Sequence, residues 1–326
     1  MKKFLKPLTS WWRLSKRIGN KRLAYQLLPE VYTPLLTSET TENDNAIIFE
    51  KYAKRFTKKQ LALFGNHGEL LIKFIKAPGI SFIEANDKRE TVVIGNSEKK
   101  VQLFVNDYDN LRVVEEIFID RLYDVMMPGE YVVCDVGMNV AAASLYFAGM
   151  SNISKVYGFE PFKDTFDMAR ENINLNAELS PKLEVHNYGL GKKDESLLVP
   201  CPTGGALGGS TTASFIEKTP GADKEKLVMV EIKDIAAIVD QIKNSHPEAG
   251  IIMKLDCEGA EYEIMERLDE TGLVKKVDIF MIEYHFKGKR PLQDILSANR
   301  FLVLSPGDDS LNEYGMLYAI NPKVQQ

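Results

Sequence analysis

The sequence predicts an α/β protein built on a doubly wound, mostly parallel sheet that ends in an antiparallel hairpin. From residue 131 onward, short apolar runs alternate with amphipathic helical segments, as in successive βαβ units. The run that begins at Tyr131 is unbroken, as expected of a strand covered on both faces. Two apolar runs at 301–304 and 316–320 are joined by a short loop, which predicts the hairpin at one edge of the sheet.

The large domain is predicted to contain the following elements in chain order. Strands are expected at 131–135, 155–159, 182–186, 227–232, 251–255 and 277–282, followed by the hairpin. Helices are expected at 139–148, 162–176, 234–242, 261–268 and 291–298. The segment 197–213 is rich in glycine and serine and is too long for an ordinary connection, which predicts a substrate or lid loop.

A smaller N-terminal α/β lobe precedes this domain. Its predicted elements are a helix at 46–64, strands at 70–75, 91–94 and 101–105, and a turn at 95–97. A helix at 111–127 then ends at Pro128–Gly129. The predicted division is a basic arm at 1–45, the small lobe at 46–110 and the large domain at 111–326.

Composition limits the class of protein. The apolar fraction of 44% and charged fraction of 27% are typical of a soluble globular protein, and the net charge of -5 argues against a global nucleic-acid binder. The three cysteines form no CxxC pair or zinc pattern, and no apolar run is long enough to span a bilayer. We therefore expect a cytoplasmic protein. Residues 1–22 are basic and carry two tryptophans, a composition that suits weak contact with an anionic membrane surface or a self-docking arm.

The turn after the first strand of the large domain predicts a nucleoside-binding site. Asp135 ends the strand, Gly137 allows a tight turn, and Asn139 is expected to cap the next helix. Glu160 ends the next strand, where a carboxylate can accept hydrogen bonds from a ribose. A dinucleotide site needs GxGxxG, but Gly137, Asn139 and Ala142 stand at those positions. The missing glycines favour a cofactor without phosphates, such as S-adenosylmethionine.

Two further strand ends carry candidate catalytic side chains. Lys254 and Asp256 share one face of a strand, and Glu258 follows in the turn, so that a general base and a charge to tune it lie together. His285 follows the next strand and has an ordinary pKa that suits a general base. A metal held by these carboxylates and His285 is conceivable, but no ligand spacing supports it, so we predict none.

These motifs resemble the FkbM family of S-adenosylmethionine-dependent methyltransferases over roughly residues 111 to 305. The resemblance rests on five motifs in this order: Asp135-Val-Gly-Met-Asn139, Phe159-Glu160-Pro161, Asn172 with Asn176, Lys254-Leu-Asp-Cys-Glu-Gly-Ala-Glu261, and Ile282-Glu283. It implies a class I methyltransferase (Rossmann-like) fold with a seven-stranded sheet, and O-methylation of a hydroxyl on a sugar, glycolipid or small metabolite. The family usually has glycine where this chain has Ala141, and the extra methyl group is expected to crowd the methionine end of the cofactor.

The resemblance and the residues together predict a site. Asp135, Gly137 and Asn139 are expected to hold the amino-acid end of S-adenosyl-L-methionine, Glu160 the ribose, and Asn187 and Tyr188 the adenine. Asp256 is the predicted catalytic residue that orients or deprotonates the acceptor, with support from Glu258, Lys254 and His285. The alternatives are a non-catalytic module with the same fold, peripheral to a membrane, and a nicotinamide-dependent dehydrogenase. The acceptor and the oligomeric state are left open.

Overall fold

The computed structural model describes residues 20–26, 46–49, 52–84, 90–95, 100–124, 127–202, 222–306 and 313–322. The chain divides into two compact units, Met1–Leu122 and Tyr123–Gln326. Most of the predicted basic arm and the predicted loop 203–212 lie outside the described residues. The division falls later than the predicted one because the helical segment after residue 107 packs with the first unit, where Glu115 pairs with Lys73 at 2.6 Å.

The first unit combines short helices with two small antiparallel sheets. Its helices are α1 (Lys21–Gln26), α2 (Lys58–Leu63), α3 (Gly68–Lys76) and α4 (Tyr108–Val114), and α4 continues as a π-helical turn, Glu115–Ile119. Its strands are β1 (Ala46–Phe49), β2 (Lys54–Thr57), β3 (Ile80–Glu84), β4 (Glu90–Gly95) and β5 (Lys100–Val105). Strand β1 pairs with β2, and β3, β4 and β5 form a meander.

Three predictions for this unit are wrong. Within the segment 46–64, residues 46–49 and 54–57 are paired antiparallel strands, and a capping box between Thr57 and Gln60 starts a short helix. The segment 70–75 is helical, and its buried residues recur at helical spacing. The helix predicted at 111–127 stops at Ile119. The strands at 91–94 and 101–105 are confirmed.

The second unit begins with alternating strands and helices. Its strands are β6 (Tyr131–Val136), β7 (Ile153–Phe159), β8 (Leu183–His186), β9 (Gly189–Gly191), β10 (Glu195–Pro202), β11 (Ala222–Asp234), β12 (Gly250–Leu255), β13 (Ile279–Tyr284), β14 (Leu302–Leu304) and β15 (Gly315–Ile320). Its helices are α5 (Ala142–Ala148), α6 (Lys163–Leu175), α7 (Ile235–Ser245), α8 (Glu261–Glu270) and α9 (Arg290–Ala298).

Seven of these strands form one sheet in the order β14-β15-β13-β12-β6-β7-β8. The neighbours from β8 to β13 are parallel, whereas β15 is antiparallel to both β13 and β14. The predicted seven-stranded, mostly parallel sheet with a terminal hairpin is therefore confirmed. All six residues of β6 are buried, and its neighbours are β7 and β12, so the strand order reverses at β6. Ligands of open α/β sheets bind beside such a reversal, at the carboxyl ends of the strands.

A separate three-stranded sheet was not predicted. Strand β11 pairs antiparallel with β10 and parallel with β9, so the predicted strand 227–232 does not join the main sheet. Residues 197–202, predicted as loop, belong to β10. One face of this sheet packs Val199, Val230 and Ile232 against Phe162, which follows β7. None of the described helices has the length and apolar character needed to cross a bilayer.

Candidate active site

The turn between β6 and α5 has three residues in the left-handed region of backbone conformation. These are Gly137 (φ 75°), Asn139 (φ 54°) and Ala141 (φ 65°). A residue other than glycine pays about 1–2 kcal/mol in this conformation, and such strain concentrates at functional sites. The sequence predicted that Asn139 caps α5, and this prediction is wrong because the helix begins only at Ala142. Instead, the backbone N–H of Asn139 points at the carboxylate of Glu160.

Glu160 is held where β7 ends, across from this turn. One carboxylate oxygen accepts the backbone N–H of Asn139 and the other accepts that of Phe162, each at 3.0 Å. Burial raises the pKa of Glu160 to about 7, against the lowering effect of the two backbone hydrogen bonds. Each oxygen still has a lone pair for a second donor. The geometry therefore offers two acceptors side by side at the strand end, next to the tight turn.

Asp135 and Lys254 form a buried ion pair beneath the turn. Nζ of Lys254 lies 3.0 Å from Oδ1 of Asp135 and donates to the carbonyl oxygen of Gly137 at 2.7 Å. Oδ2 of Asp135 accepts the hydroxyl of Ser144 at 2.6 Å. Burial lowers the pKa of Lys254, but the charges of Asp135 and Asp256 outweigh it, so the net pKa is raised. Both predicted site residues are thus enclosed and fix the turn from below.

Two asparagine side chains brace the site, one at the turn after β6 and one at the loop that begins with Glu160. Nδ2 of Asn172 donates to the carbonyl of Val140 at 2.9 Å. Nδ2 of Asn187 donates to the carbonyls of Glu160 and Pro161 at 3.0 and 3.2 Å. The predicted adenine contact of Asn187 remains a prediction, and what the structure adds is its support of the Glu160 loop.

Tyr188, the other predicted adenine contact, lies half-buried among aromatic rings after β8. Its ring centroid is 5.6 Å from that of Phe159 and 5.1 Å from that of His186. Its contact with adenine also remains a prediction.

The predicted catalytic carboxylates lie in the turn between β12 and α8. Oδ2 of Asp256 is 3.5 Å from Nζ of Lys254, and about a third of its side chain is exposed. Glu258 has a left-handed backbone (φ 52°), and burial raises its pKa. Asp256 therefore combines partial exposure with a cation at 3.5 Å, a combination that suits a proton acceptor.

His285 lies just beyond the end of β13 and is paired with Glu261, the first residue of α8. Nδ1 of His285 is 2.5 Å from Oε1 of Glu261, and both side chains are buried. Burial lowers the pKa of His285, but the hydrogen bond and charge of Glu261, with the charges of Asp256 and Glu258, raise it to about 10. The sequence predicted His285 in the site but gave Glu261 only a helix-starting role.

The four predicted catalytic side chains thus meet at the ends of β12 and β13. Among the described residues, no group of three or more histidine, cysteine or carboxylate side chains is arranged to hold a metal ion. The sequence missed Ser144 as a partner of Asp135. Its position nine residues after Asp135, on the first turn of α5, was the available signal.

The sheet order and the strained turn after β6 define the class I methyltransferase fold. A family model described as "Methyltransferase FkbM domain" matches residues 135–304, just over half of the chain. The chain therefore belongs to the FkbM methyltransferase family, as the sequence motifs predicted.

Relatives and solved structures are similar to parts of this chain. Methyltransferase 1 of Beauveria bassiana is 28% identical over 170 residues, which cover 48% of this chain and 66% of that protein. Methyltransferase sdnD of Sordaria araneosa is 27% identical over 213 residues, which cover 58% of this chain and 80% of that protein. The crystal structure of methyltransferase FkbM from Methylobacillus flagellatus has 12% identity and a TM-score of 0.42, covering 64% of this chain and 47% of that one. The chain thus spans just under two thirds of the first relative and about half of the solved structure.

Proposed function

We infer that this methyltransferase uses S-adenosyl-L-methionine to methylate a hydroxyl of a sugar, glycolipid or small metabolite. The observation that carries the inference is the Glu160 carboxylate. It is presented at a strand end by the backbone N–H groups of Asn139 and Phe162, with one acceptor position left on each oxygen. A vicinal diol supplies two donors at matching positions, so this arrangement fits a ribose. The strained turn at Gly137 and Asn139 lies beside it and suits the amino-acid end of the same cofactor.

The remaining predicted cofactor residues fit the same assignment. Asp135 is fully buried, so we assign it to supporting the turn through Lys254 and Ser144 rather than to direct contact. Asn187 and Tyr188 flank the Glu160 loop, and we assign them to the part of the site that contacts the adenine. When bound, S-adenosylmethionine supplies a methyl group from a positively charged sulfur and leaves as a neutral thioether.

The chain's own chemical task is to place the acceptor hydroxyl and take its proton. Asp256 is the assigned proton acceptor because its carboxylate is partly exposed, whereas Lys254 and Asp135 are enclosed. Its partner Lys254 places a cation 3.5 Å from Oδ2, and Glu258 adds a second carboxylate that can share the proton. Placing the oxygen against the methyl group supplies much of the rate, because orientation replaces a bimolecular encounter.

Isothermal titration calorimetry with S-adenosylmethionine tests the cofactor. We expect one site per chain for the folded wild type and weaker binding for Glu160→Gln, since the amide offers one acceptor oxygen in place of two. Glu171→Gln, on α6, is the matched control and is expected to bind like the wild type. A folded wild type that shows no heat of binding overturns the assignment, and a nicotinamide cofactor that copurifies with the protein revives the dehydrogenase alternative.

Asp256→Asn tests the catalytic assignment. The amide keeps the volume of the side chain but cannot take a proton, so we expect methyl transfer to fall about 10²–10⁴-fold with cofactor affinity retained. Mass spectrometry of cell-envelope and small-molecule fractions, incubated with wild type or variant, measures the transfer and identifies the acceptor. Equal methylation by wild type and variant rules out Asp256 as the base. Cofactor binding without any methylated product favours the non-catalytic module.

A further inference from the structure

The buried pair of His285 and Glu261 is not needed to hold the cofactor, yet it lies beside the assigned base. The carboxylate of Glu261 is fully enclosed and accepts from several donors. Oε2 accepts the backbone N–H of Gly259 at 2.6 Å and lies 3.7 Å from Sγ of Cys257. Oε1 faces Nδ1 of His285 at 2.5 Å. An enclosed carboxylate is stable only with such donors and with a compensating charge.

The pairing fixes the state of the imidazole. Nδ1 faces a carboxylate oxygen, so it must carry a hydrogen. The carboxylate charge then favours a second proton on Nε2, and burial of the pair keeps water from screening that charge. The carboxylates that act on the ring all favour the cation: Glu261 at the start of α8, and Asp256 and Glu258 in the turn before it. The ring of Tyr314, before β15, is an aromatic neighbour of the imidazole. The surroundings of the ring therefore favour the imidazolium form of His285.

The free nitrogen of this imidazolium is an available donor. Within the described part of the chain, Nδ1 makes the hydrogen bond of the ring, and Nε2 donates to no side chain or backbone oxygen. The ring sits at the carboxyl end of β13, beside the end of β12 that carries Asp256. The ring of Tyr314, which is half-exposed, lies nearly perpendicular to the imidazole, at 5.9 Å between centroids. A charged donor thus lies at the same edge of the sheet as the assigned proton acceptor.

We propose that His285 binds the acceptor as a fixed cation, with its Nε2–H donating to the oxygen of the hydroxyl whose proton goes to Asp256. This proposal rests on the proposed function and adds an acceptor-binding residue to it. Negative charge grows on that oxygen as the O–H bond breaks, and a positioned donor stabilises such charge more than it stabilises the neutral hydroxyl. Glu261 is a positioning residue, because it acts only through the ring.

The proposal changes the role that the sequence gave to His285. A general base needs a free lone pair, and the imidazolium has none. The predicted base role therefore does not fit the pair with Glu261, and the proton of the acceptor passes to the carboxylate instead. The variant Glu261→Gln separates the two roles. It removes the charge that keeps the ring protonated, so His285 regains a pKa near its ordinary value of about 6.5.

Nuclear magnetic resonance of the imidazole nitrogens tests the protonation state without an acceptor or a cofactor. The chain has four histidines, so the His285 signals are assigned by their loss in His285→Gln. In the wild type we expect both nitrogens of His285 to stay protonated from pH 6 to pH 8.5. In Glu261→Gln the ring should titrate within that range, from largely protonated at pH 6 to neutral at pH 8.5. Glu266→Gln, an exposed site on the same helix, should leave it protonated throughout. A neutral His285 ring in the wild type at pH 7.5 overturns the proposal.

Methyl transfer from S-adenosylmethionine with a tritiated methyl group to a cell-envelope extract tests the role of the donor. At pH 6 we expect Glu261→Gln to keep most of the wild-type rate, because its ring is still largely protonated. At pH 8.5 the rate should be about a hundredfold lower than that of the wild type, since about 1% of rings keep the second proton at an ordinary pKa. His285→Gln should be slow at both pH values, and Glu266→Gln should follow the wild type.

The outcomes separate this proposal from the proposed function. A Glu261→Gln rate that rises with pH relative to the wild type identifies His285 as a base and overturns the fixed-cation role. An unchanged ratio of the two rates also overturns it. A wild type that binds no S-adenosylmethionine in calorimetry overturns the proposed function, and the acceptor role falls with it. If Glu261→Gln does not fold, His285→Gln still decides: wild-type transfer by that variant contradicts the acceptor role.

Discussion

Lys254 and Asp135 stand directly opposite each other on the parallel strands β12 and β6, and their side chains form an ion pair of 3.0 Å inside the protein. The same ammonium group donates to the carbonyl oxygen of Gly137 and lies 3.5 Å from Asp256. One buried cation therefore connects the turn assigned to the cofactor with the carboxylate assigned to the acceptor. Its position explains why a lysine stands two residues before Asp256, in a strand whose other side chains form the core.

Replacement of Lys254 by methionine is expected to destabilise the second unit strongly. The substitution leaves the Asp135 carboxylate buried with Ser144 as its remaining side-chain donor among the described contacts, and breaking a buried pair in this way costs about 3–5 kcal/mol. Chemical denaturation followed by circular dichroism measures the change in the free energy of unfolding. Lys163→Met is the control, because its pair with Asp167 is exposed on α6 and such pairs contribute little. A loss no larger than that of the control contradicts the structural role of the pair.

Gly137 and Gly272 form a matched pair for testing the turn. Both are left-handed, with φ of 75° and 73°. A Cβ atom at Gly137 would lie 1.7 Å from the carbonyl oxygen of Asp256, whereas one at Gly272 would meet nothing within 4 Å. Gly272→Ala should therefore cost only the backbone strain, about 1–2 kcal/mol. Gly137→Ala must also push two strand ends apart, so we expect a larger loss of stability together with loss of cofactor binding.

Thermal unfolding and calorimetry with S-adenosylmethionine, applied to both glycine variants, measure these effects. The comparison is informative because the two substitutions share the chemistry and the backbone conformation and differ only in the space around the new methyl group. Equal destabilisation by the two variants is the result that would show the approach of Asp256 to the turn to be unimportant.

The ends of β6, β7 and β12 were predictable because they depend on local patterns. Buried parallel strands are continuous apolar runs, and a period of two places Lys254 and Asp256 on one face. The roles of the individual side chains at these strand ends were harder to predict from the sequence. The sequence placed Lys254 among the groups that act on the acceptor, but the ion pair that encloses it depends on the register between two strands more than 100 residues apart.

The pair between Glu261 and His285 illustrates a different limit. A strand that continued to residue 285 would place His285 on the same face as Glu283, but β13 ends at Tyr284 and Phe286 adopts a left-handed backbone (φ 70°). The chain therefore turns where the pattern assumes that it continues, and the imidazole meets the first turn of α8. Similarly, the run at 70–75 is short enough to fit either strand or helix, and only its packing against the core of the first unit decides for α3.

Ala141→Gly is expected to change stability by less than about 1 kcal/mol. Relief of the left-handed strain at φ 65° is offset by the greater flexibility of glycine in the unfolded chain and by loss of a buried methyl group. That methyl group packs among Met138, Phe166, Ala169 and Ile173 rather than in open space. We therefore expect the cofactor affinity of the variant to match that of the wild type. A tenfold gain in affinity, measured by calorimetry, would support the prediction that Ala141 crowds the cofactor.

The affinity for S-adenosylmethionine should depend on pH through Glu160. Its pKa of about 7 lies above the ordinary value of 4.5, so the carboxyl group is protonated at pH 6 and ionised at pH 8. A ribose donates hydrogen bonds to the ionised form, and the ionised fraction falls about tenfold between pH 8 and pH 6, so we expect about tenfold weaker binding at pH 6. The folded state also binds the extra proton between about pH 4.5 and pH 7, which means that Glu160 makes the protein less stable as pH rises through that window.

Calorimetry from pH 6 to pH 8, in buffers of different ionisation enthalpy, measures both the affinity and the protons released on binding. Glu160→Gln should bind weakly at every pH with no proton release, and a wild-type affinity that stays constant from pH 6 to pH 8 would exclude the carboxylate as the ligand of the ribose.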